Sequence, residues 1–366
     1  MSILKTGVGA TLAVLMAAGS ATAQSPPSAF KTSTTLQAPQ DPGYAAQIAK
    51  CKTPLPARAG GPPPAAPGAA PAAPPPEPPF PAVIPPPSPA IPGILAANQS
   101  WKSVWQWDGN NVDGPVPTDR GTILEANNDA GTVMEIFPDT GMARIVHDKL
   151  NAPGAVGRSK NGALFVAERG LGARITQLEP TRKVLADSYQ GGPLECVGGI
   201  LNDIVVDAHG GVYASAGGMV AYANPKGVVS VYGTVTRSNG IVLSPDEKVL
   251  YVTNGPTLVA FDVQPDGSLT NQRDFATFKT VRNGDGTAVD AQGRVYVGGG
   301  GNVDVFSPKG EFLGGIAGPV GLHGVFFGGP GKKTLYGILL YGQAPNRHNQ
   351  IVALQLEAQG YTGRAK

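Results

Sequence analysis

The stretch "NGIVLSPDEKVLYV", residues 239–252, carries an Asn-Gly pair, an alternating apolar segment, a Ser-Pro-Asp turn and a second apolar segment. Taken alone, Asn239-Gly240 reads as a tight turn, because both residue types tolerate positive φ. The stretch is not alone. A polar or turn residue followed by strand, turn and strand returns as "DGPVPTDRGTIL" from Asp113, "PGAVGRSKNGALFV" from Pro153, "NDIVVDAHGGVYA" from Asn202, "DGTAVDAQGRVYV" from Asp285 and "HGVFFGGPGKKTLYG" from His323. The second residues of these phrases, Gly114, Gly154, Asp203, Gly240, Gly286 and Gly324, are spaced 37 to 49 residues apart. Each interval has room for about four short strands with tight turns, the size of one propeller blade.

Six such units predict an all-β chain: a six-bladed β-propeller over residues 98–366. The segment "KSVWQWDG" from Lys102 is placed to add the outer strand of the last blade, joining both ends of the ring and removing an exposed edge. Its tryptophans read as blade packing rather than a ligand platform.

Ahead of the propeller, Lys5, the apolar run 8–18 and Ala21-Thr22-Ala23 form the pattern of a signal peptide over residues 1–23. Residues 24–97 read as a Pro/Ala-rich disordered linker: 18 of the chain's 36 prolines fall between residues 54 and 92, a composition that forms neither ladder nor core. The mature protein is therefore expected in the periplasm or outside the cell, without a membrane span. In an oxidising compartment the two cysteines, Cys51 and Cys196, can pair; two separate thiols are the alternative. A net charge of +2 with scattered basic residues leaves no electrostatic footprint for nucleic acid. No GxSxG, P-loop or dinucleotide fingerprint is present.

In a propeller the innermost strands run along the central axis, so the residues leading into them converge at one mouth of the channel. The lead positions are Asp113, Pro153, Asn202, Asn239, Asp285 and His323. Asp113, Asn202, Asn239 and Asp285 would bring two carboxylates and two amide oxygens to one axis. Two carboxylates so placed repel each other unless a cation neutralises them, and an all-oxygen set favours one divalent ion of the Ca2+ type. Mg2+, Mn2+ and Zn2+ remain open; Zn2+ ordinarily recruits more nitrogen or sulfur.

At these residues the chain resembles the SMP-30/gluconolactonase family, also called the regucalcin-like family. "SNGIVLSPDEKVLYVTN" is similar to its Asn-Gly blade, "GDGTAVDAQGRVYVGGGGNVDVFSPKGEFLGGI" to its Asp-Gly blade and "LNDIVVDAHGGVYAS" to its Asn-Asp blade. The likeness spans about residues 110–345 and is strongest over 201–316. It implies a six-bladed propeller with one central divalent cation and hydrolysis of a lactone or ester at that site, the ligands falling on Asp113, Asn202, Asn239 and Asp285. Two departures stand out. Asp113 occupies a place where Glu is usual, and Ile200 stands where some sugar-lactone hydrolases of the family carry Arg.

The resulting expectation is an exported metal-dependent hydrolase acting on a small-molecule lactone or related ester. Asp285 would serve as ligand and general base and His323 as a proton shuttle. Asn151 and Glu168, the latter followed by Arg169 at a strand end of the second blade, are candidates to line the substrate pocket. The alternative is a non-catalytic, metal-stabilised propeller that binds a partner or acts as a scaffold.

Overall fold

In the computed structural model, which describes residues 37–55, 80–108, 112–234, 237–342 and 347–363, Asn239 and Gly240 make no hairpin turn. They lie inside the strand Ser238–Leu243, at a point where its register against Val249–Asn254 shifts between Ser238 and Ile241. The shift is a β-bulge, which adds a residue on one side of a ladder and re-aims the side chains there. Innermost strands of four other blades carry an irregularity at the equivalent place: between Asp113 and Val116, Pro153 and Ala155, Leu201 and Ile204, and Leu322 and Gly324.

These strands belong to six four-stranded antiparallel sheets. Their innermost members are Val112–Pro117, Pro153–Arg158, Leu201–Val206, Ser238–Leu243, Thr287–Val289 and Leu322–Gly328, which we take as the starts of blades 1 to 6. Each inner strand touches that of the next blade, and blade 6 returns to blade 1, closing the ring. In blade 6 the outermost strand is Lys102–Asp108, paired with His348–Gln355, so the chain's earlier segment completes its last sheet. Trp105 and Trp107 on that strand are buried between blades 6 and 1 with Ile123, Met134, Phe326 and Ile338. Apolar residues alternate along each strand and fill six such layers, one between every pair of neighbouring blades.

Glycine follows the lead residue for a steric reason. A Cβ on Gly240 would lie 1.9 Å from the carbonyl oxygen of Asp285 in blade 5, one on Gly286 would lie 2.7 Å from Cα of Gly324 in blade 6, and one on Gly114 would meet Ala155 of blade 2 at 2.3 Å. The repeated glycine thus lets neighbouring backbones approach at the axis, with no turn required of Gly240 or Gly286.

Residues 24–97, read from composition as one disordered linker, are ordered at two places. A short helix, Tyr44–Ile48, leads to Cys51, which forms a disulfide with Cys196 on the 3-10 turn Leu194–Val197. Further on, Phe80 stacks on His348 with ring centroids 4.5 Å apart, Ser88 Oγ accepts a hydrogen bond from the Ala317 N–H, and Ile91, Ile94 and Leu95 are buried with blades 5 and 6. Proline-rich average composition hid these apolar anchors, and burying them offsets the entropy of ordering the chain around them. The expected signal peptide and residues 24–36 and 56–79 of the linker lie outside the described residues.

Gly240→Ala is expected to cost about 1–3 kcal/mol of unfolding free energy by forcing blades 4 and 5 apart. A urea melt would register this as a lowered midpoint, and an unchanged midpoint would refute the close-approach account.

Candidate active site

The bulges deliver lead residues from several blades to one place. Asp113, Asp203, Asn239 and Asp285 line a narrow axial cavity of ≈ 20 Å³, room for a single water-sized species, whose lining also includes the apolar Val325, Phe326 and Ile338. Asn202 joins them through its side-chain Nδ2, which donates to Asn239 Oδ1 at 2.6 Å. The carboxylate of Asp113 accepts from the Gly114 N–H at 2.8 Å and from Arg169 Nη2 at 3.1 Å. His323 Nδ1 stands 3.7 Å from Asp285 Oδ2, an ion pair too long for a hydrogen bond, and its Nε2 is buried without a partner. Pro153 contributes no donor side chain. A larger cleft, ≈ 450 Å³, opens among the hairpin turns around Asp207–His209 and Pro245–Lys248, at the opposite ends of the inner strands.

Two pocket candidates are engaged elsewhere. Glu168 is fully buried inside blade 2, where its carboxylate receives Arg174 at 2.8 and 2.9 Å, Thr176 Oγ1 at 2.5 Å and the Asn151 N–H at 2.6 Å. Burial pushes its carboxyl up, but these donors more than offset that and hold it below the usual carboxylate range. The side chain of Asn151 donates to the Leu171 carbonyl at 2.9 Å. Both residues therefore brace the loop that follows the strand Leu164–Glu168, and neither lines the axial cavity.

Two further groups stand at the axis. Arg169, read from the sequence together with Glu168 as a surface pair that could reach the channel mouth, does reach it: its guanidinium goes to Asp113, to the Gly154 carbonyl and to the Asn202 carbonyl at 3.4 Å. Glu125 lies on the strand Ile123–Asn127, opposite the bulge formed by Gly114 and Pro115, with both carboxyl oxygens buried and unpartnered. At the equivalent place blade 3 has Ser215, whose hydroxyl donates to the Asn239 carbonyl, and blade 4 has Thr253, whose hydroxyl reaches the Gly240 carbonyl at 3.5 Å. Aligning "ILEAN" with "YASA" and "YVTN" is the signal that could have singled out Glu125.

Electrostatics separate these groups. Burial, with the Asp113 charge adding to it, pushes the Glu125 carboxyl up to about 8, so it is protonated at neutral pH. Burial alone would lower His323; the adjoining Asp285 carboxylate, with Asp113 and Glu125 behind it, outweighs that and raises the ring to about 9. Arg169 and a protonated His323 oppose the charges of Asp113 and Asp285, while Asp203, which accepts from the Ile241 N–H at 3.1 Å, lines the same cavity as a third carboxylate.

Among the described residues no three His, Cys, Asp or Glu side chains form a metal-chelating group. The donor types of Asp113, Asn202, Asn239 and Asp285 nevertheless suit a hard cation, because two carboxylates and two carboxamides supply oxygen alone. By chemistry of the donor set, the residues fit such an ion.

Residues 112–337 match the family described as the SMP-30/Gluconolactonase/LRE-like region. Among known proteins, a gluconolactonase of Zymomonas mobilis is 25% identical over 284 residues, covering 66% of this chain and 77% of its own. A lactonase drp35 of Staphylococcus haemolyticus is 30% identical over 222 residues, 54% of this chain and 64% of its own. A solved gluconolactonase of Xanthomonas campestris superposes with a TM-score of 0.61 at 21% identity, over 77% of this chain and 97% of that one. The calcium-binding protein regucalcin of Agrobacterium tumefaciens does so with a TM-score of 0.56 at 18% identity, over 68% and 91%. At these identities the two structures attest the fold.

Because Glu125 has a raised pKa when folded, the unfolded chain releases its proton first, and wild type loses stability as pH rises from about 4.5 to about 8. The full penalty, a few kcal/mol at about 1.4 kcal/mol per unit, is reached above pH 8. Protonated His323 adds a loss of the same sign between about pH 6.5 and about 9. Glu125→Gln should remove the first part only. Urea midpoints of chelator-treated protein at pH 5 and pH 8.5 should therefore fall less in the variant, and equal falls would refute the protonated assignment.

Proposed function

Since the chain belongs to the SMP-30/Gluconolactonase/LRE-like family, we propose that it is an exported hydrolase that opens a lactone or related small ester at the axial site with the help of a divalent cation. The observation that carries this reading is the convergence of Asp113, Asn239 and Asp285 on one narrow, partly apolar cavity, with His323 beside Asp285. The lactonase names of its relatives supply the substrate class. Export draws support from the leader pattern of residues 1–23 and from the Cys51–Cys196 disulfide.

Asp113, Asn202, Asn239 and Asp285 would hold the cation, of the Ca2+ type by donor chemistry, with Mg2+, Mn2+ and Zn2+ as alternatives. When bound, such an ion polarises the ester carbonyl and stabilises the oxyanion that develops on it. The remaining work falls to the chain. Asp285 takes a proton from the water that adds to the carbonyl carbon. Protonated His323 gives its own proton to the ring oxygen as the acyl C–O bond breaks; solvent then takes the proton that Asp285 gained and returns one to His323, which restores the starting state. The product is the open hydroxy acid. Val325, Phe326 and Ile338 give part of the cavity an apolar lining, which strengthens the charge interactions beside them.

Hydrolysis of a panel including glucono-1,5-lactone, acyl-homoserine lactones, aryl esters and phosphoesters, by protein stripped of metal and then given calcium, magnesium, manganese or zinc, tests the reading. Turnover restored by one cation on a lactone is expected, and Asp285→Ala should lower it at least about 100-fold while the thermal melt stays cooperative. No turnover on any member with any cation would sink the hydrolase reading and favour a binding propeller.

A further inference from the structure

Blade 2 differs from the others at the axis. Its lead residue, Pro153, has no donor side chain, and Gly154 has no room for one, because a Cβ there would lie 1.6 Å from Nε of Arg169. The space belongs to the Arg169 guanidinium, which crosses Gly154 and places Nη2 against Asp113 Oδ2 at 3.1 Å and the Asn202 carbonyl at 3.4 Å. Arg169 is 4% exposed and its Nε is buried without a partner. Its backbone is held on both sides: the N–H donates to Ala152 at 3.0 Å, and the carbonyl accepts from Ala38 of the disulfide-anchored arm at 2.7 Å. A guanidinium does not shed its proton, so this is a permanent positive charge wedged between blades 1 and 3.

We infer that Arg169 is the axial site's own cation, seated on Asp113 and the Asn202 carbonyl, and that it sets how tightly the site takes a divalent ion. The inference rests on the cation reading above. An ion drawn to Asp113 meets a fixed like charge already bonded to the same carboxylate, and because Arg169 itself is buried, that repulsion is screened less than one between surface charges. The pair therefore weakens ion binding while it keeps Asp113 oriented in the empty site. Gly154 is part of the device, since the guanidinium can reach Asp113 only across a residue without a side chain.

Calorimetric titration of the full chain, chelator-treated, with calcium and separately with manganese tests this in wild type, Arg169→Met, Arg169→Lys and Gly154→Ala. Arg169→Met keeps length without charge and should bind at least about tenfold more tightly than wild type. Arg169→Lys keeps the charge and should stay within about threefold of wild type. Gly154→Ala leaves Arg169 chemically intact but removes its seat, and should shift in the same direction as Arg169→Met. Circular dichroism screens each variant for folding; if Arg169→Met does not fold, Gly154→Ala decides. Equal or weaker binding in Arg169→Met, or in Gly154→Ala when it decides, overturns the inference and makes Arg169 a strut for Asp113, with the cation reading intact. Absence of binding by either ion in every folded protein removes the cation reading and the inference with it.

Discussion

The approach of backbone to backbone where blade 1 meets blade 2, blade 4 meets blade 5 and blade 5 meets blade 6 is the constraint on which this propeller depends. Where Gly240 meets the Asp285 carbonyl and Gly286 meets Gly324, a methyl group would already collide. Only because nothing projects there can the bulged strands close around a channel as narrow as the one found. The bulges then turn the preceding side chains toward the axis instead of across the blade faces. In blades 1, 4, 5 and 6 packing between blades and chemistry at the centre thus meet in one local choice, a polar residue followed by glycine.

The axis brings its own counter-charges. Two carboxylates placed together suggest a site that must be filled by a cation, yet Arg169 lies against Asp113 and His323 against Asp285. Burial opposes the charged form of both neighbouring titratable groups, and only one of them has a partner that outweighs it. Glu125 has no hydrogen-bond partner and gives up its charge; His323 has a carboxylate within 3.7 Å and keeps its proton. Three kinds of group, an ion pair to arginine, an ion pair to histidine and a neutral acid, occupy what the repeat alone presents as a ring of ligands.

The ring, its number of blades and the closing strand Lys102–Asp108 were legible because they rest on a phrase repeated six times, and periodic signals reinforce one another. The lead residues were legible for the same reason. The part Arg169 plays was not, although its reach to the channel mouth was, since it stands in no repeated position: its direction is set by the loop after Leu164–Glu168, and by Gly154 leaving it a path. Glu168 and Asn151 misled in the opposite sense. A charged residue at a strand end looks available, but Arg174 and Thr176 on the adjoining strand claim this one. Glu125 was hidden inside an otherwise apolar strand, where only comparison with Ser215 and Thr253 reveals that its place serves the bulge. Composition likewise blurred the linker, because averages over many prolines conceal single anchors such as Phe80, Ile91 and Leu95.

The Cys51–Cys196 bridge changes how force would pass through the molecule. Tension applied ahead of residue 37 would reach Cys51 and leave it through a covalent bond to the 3-10 turn Leu194–Val197, at the threshold of blade 3. The proline-rich stretch beyond it would carry none of that load, being flanked by this bridge on one side and by the Phe80–His348 stack on the other. Whatever is joined upstream therefore hangs from the entrance side of blades 2 and 3, next to the loop that positions Arg169. The length of the proline segment does not set its distance from the propeller.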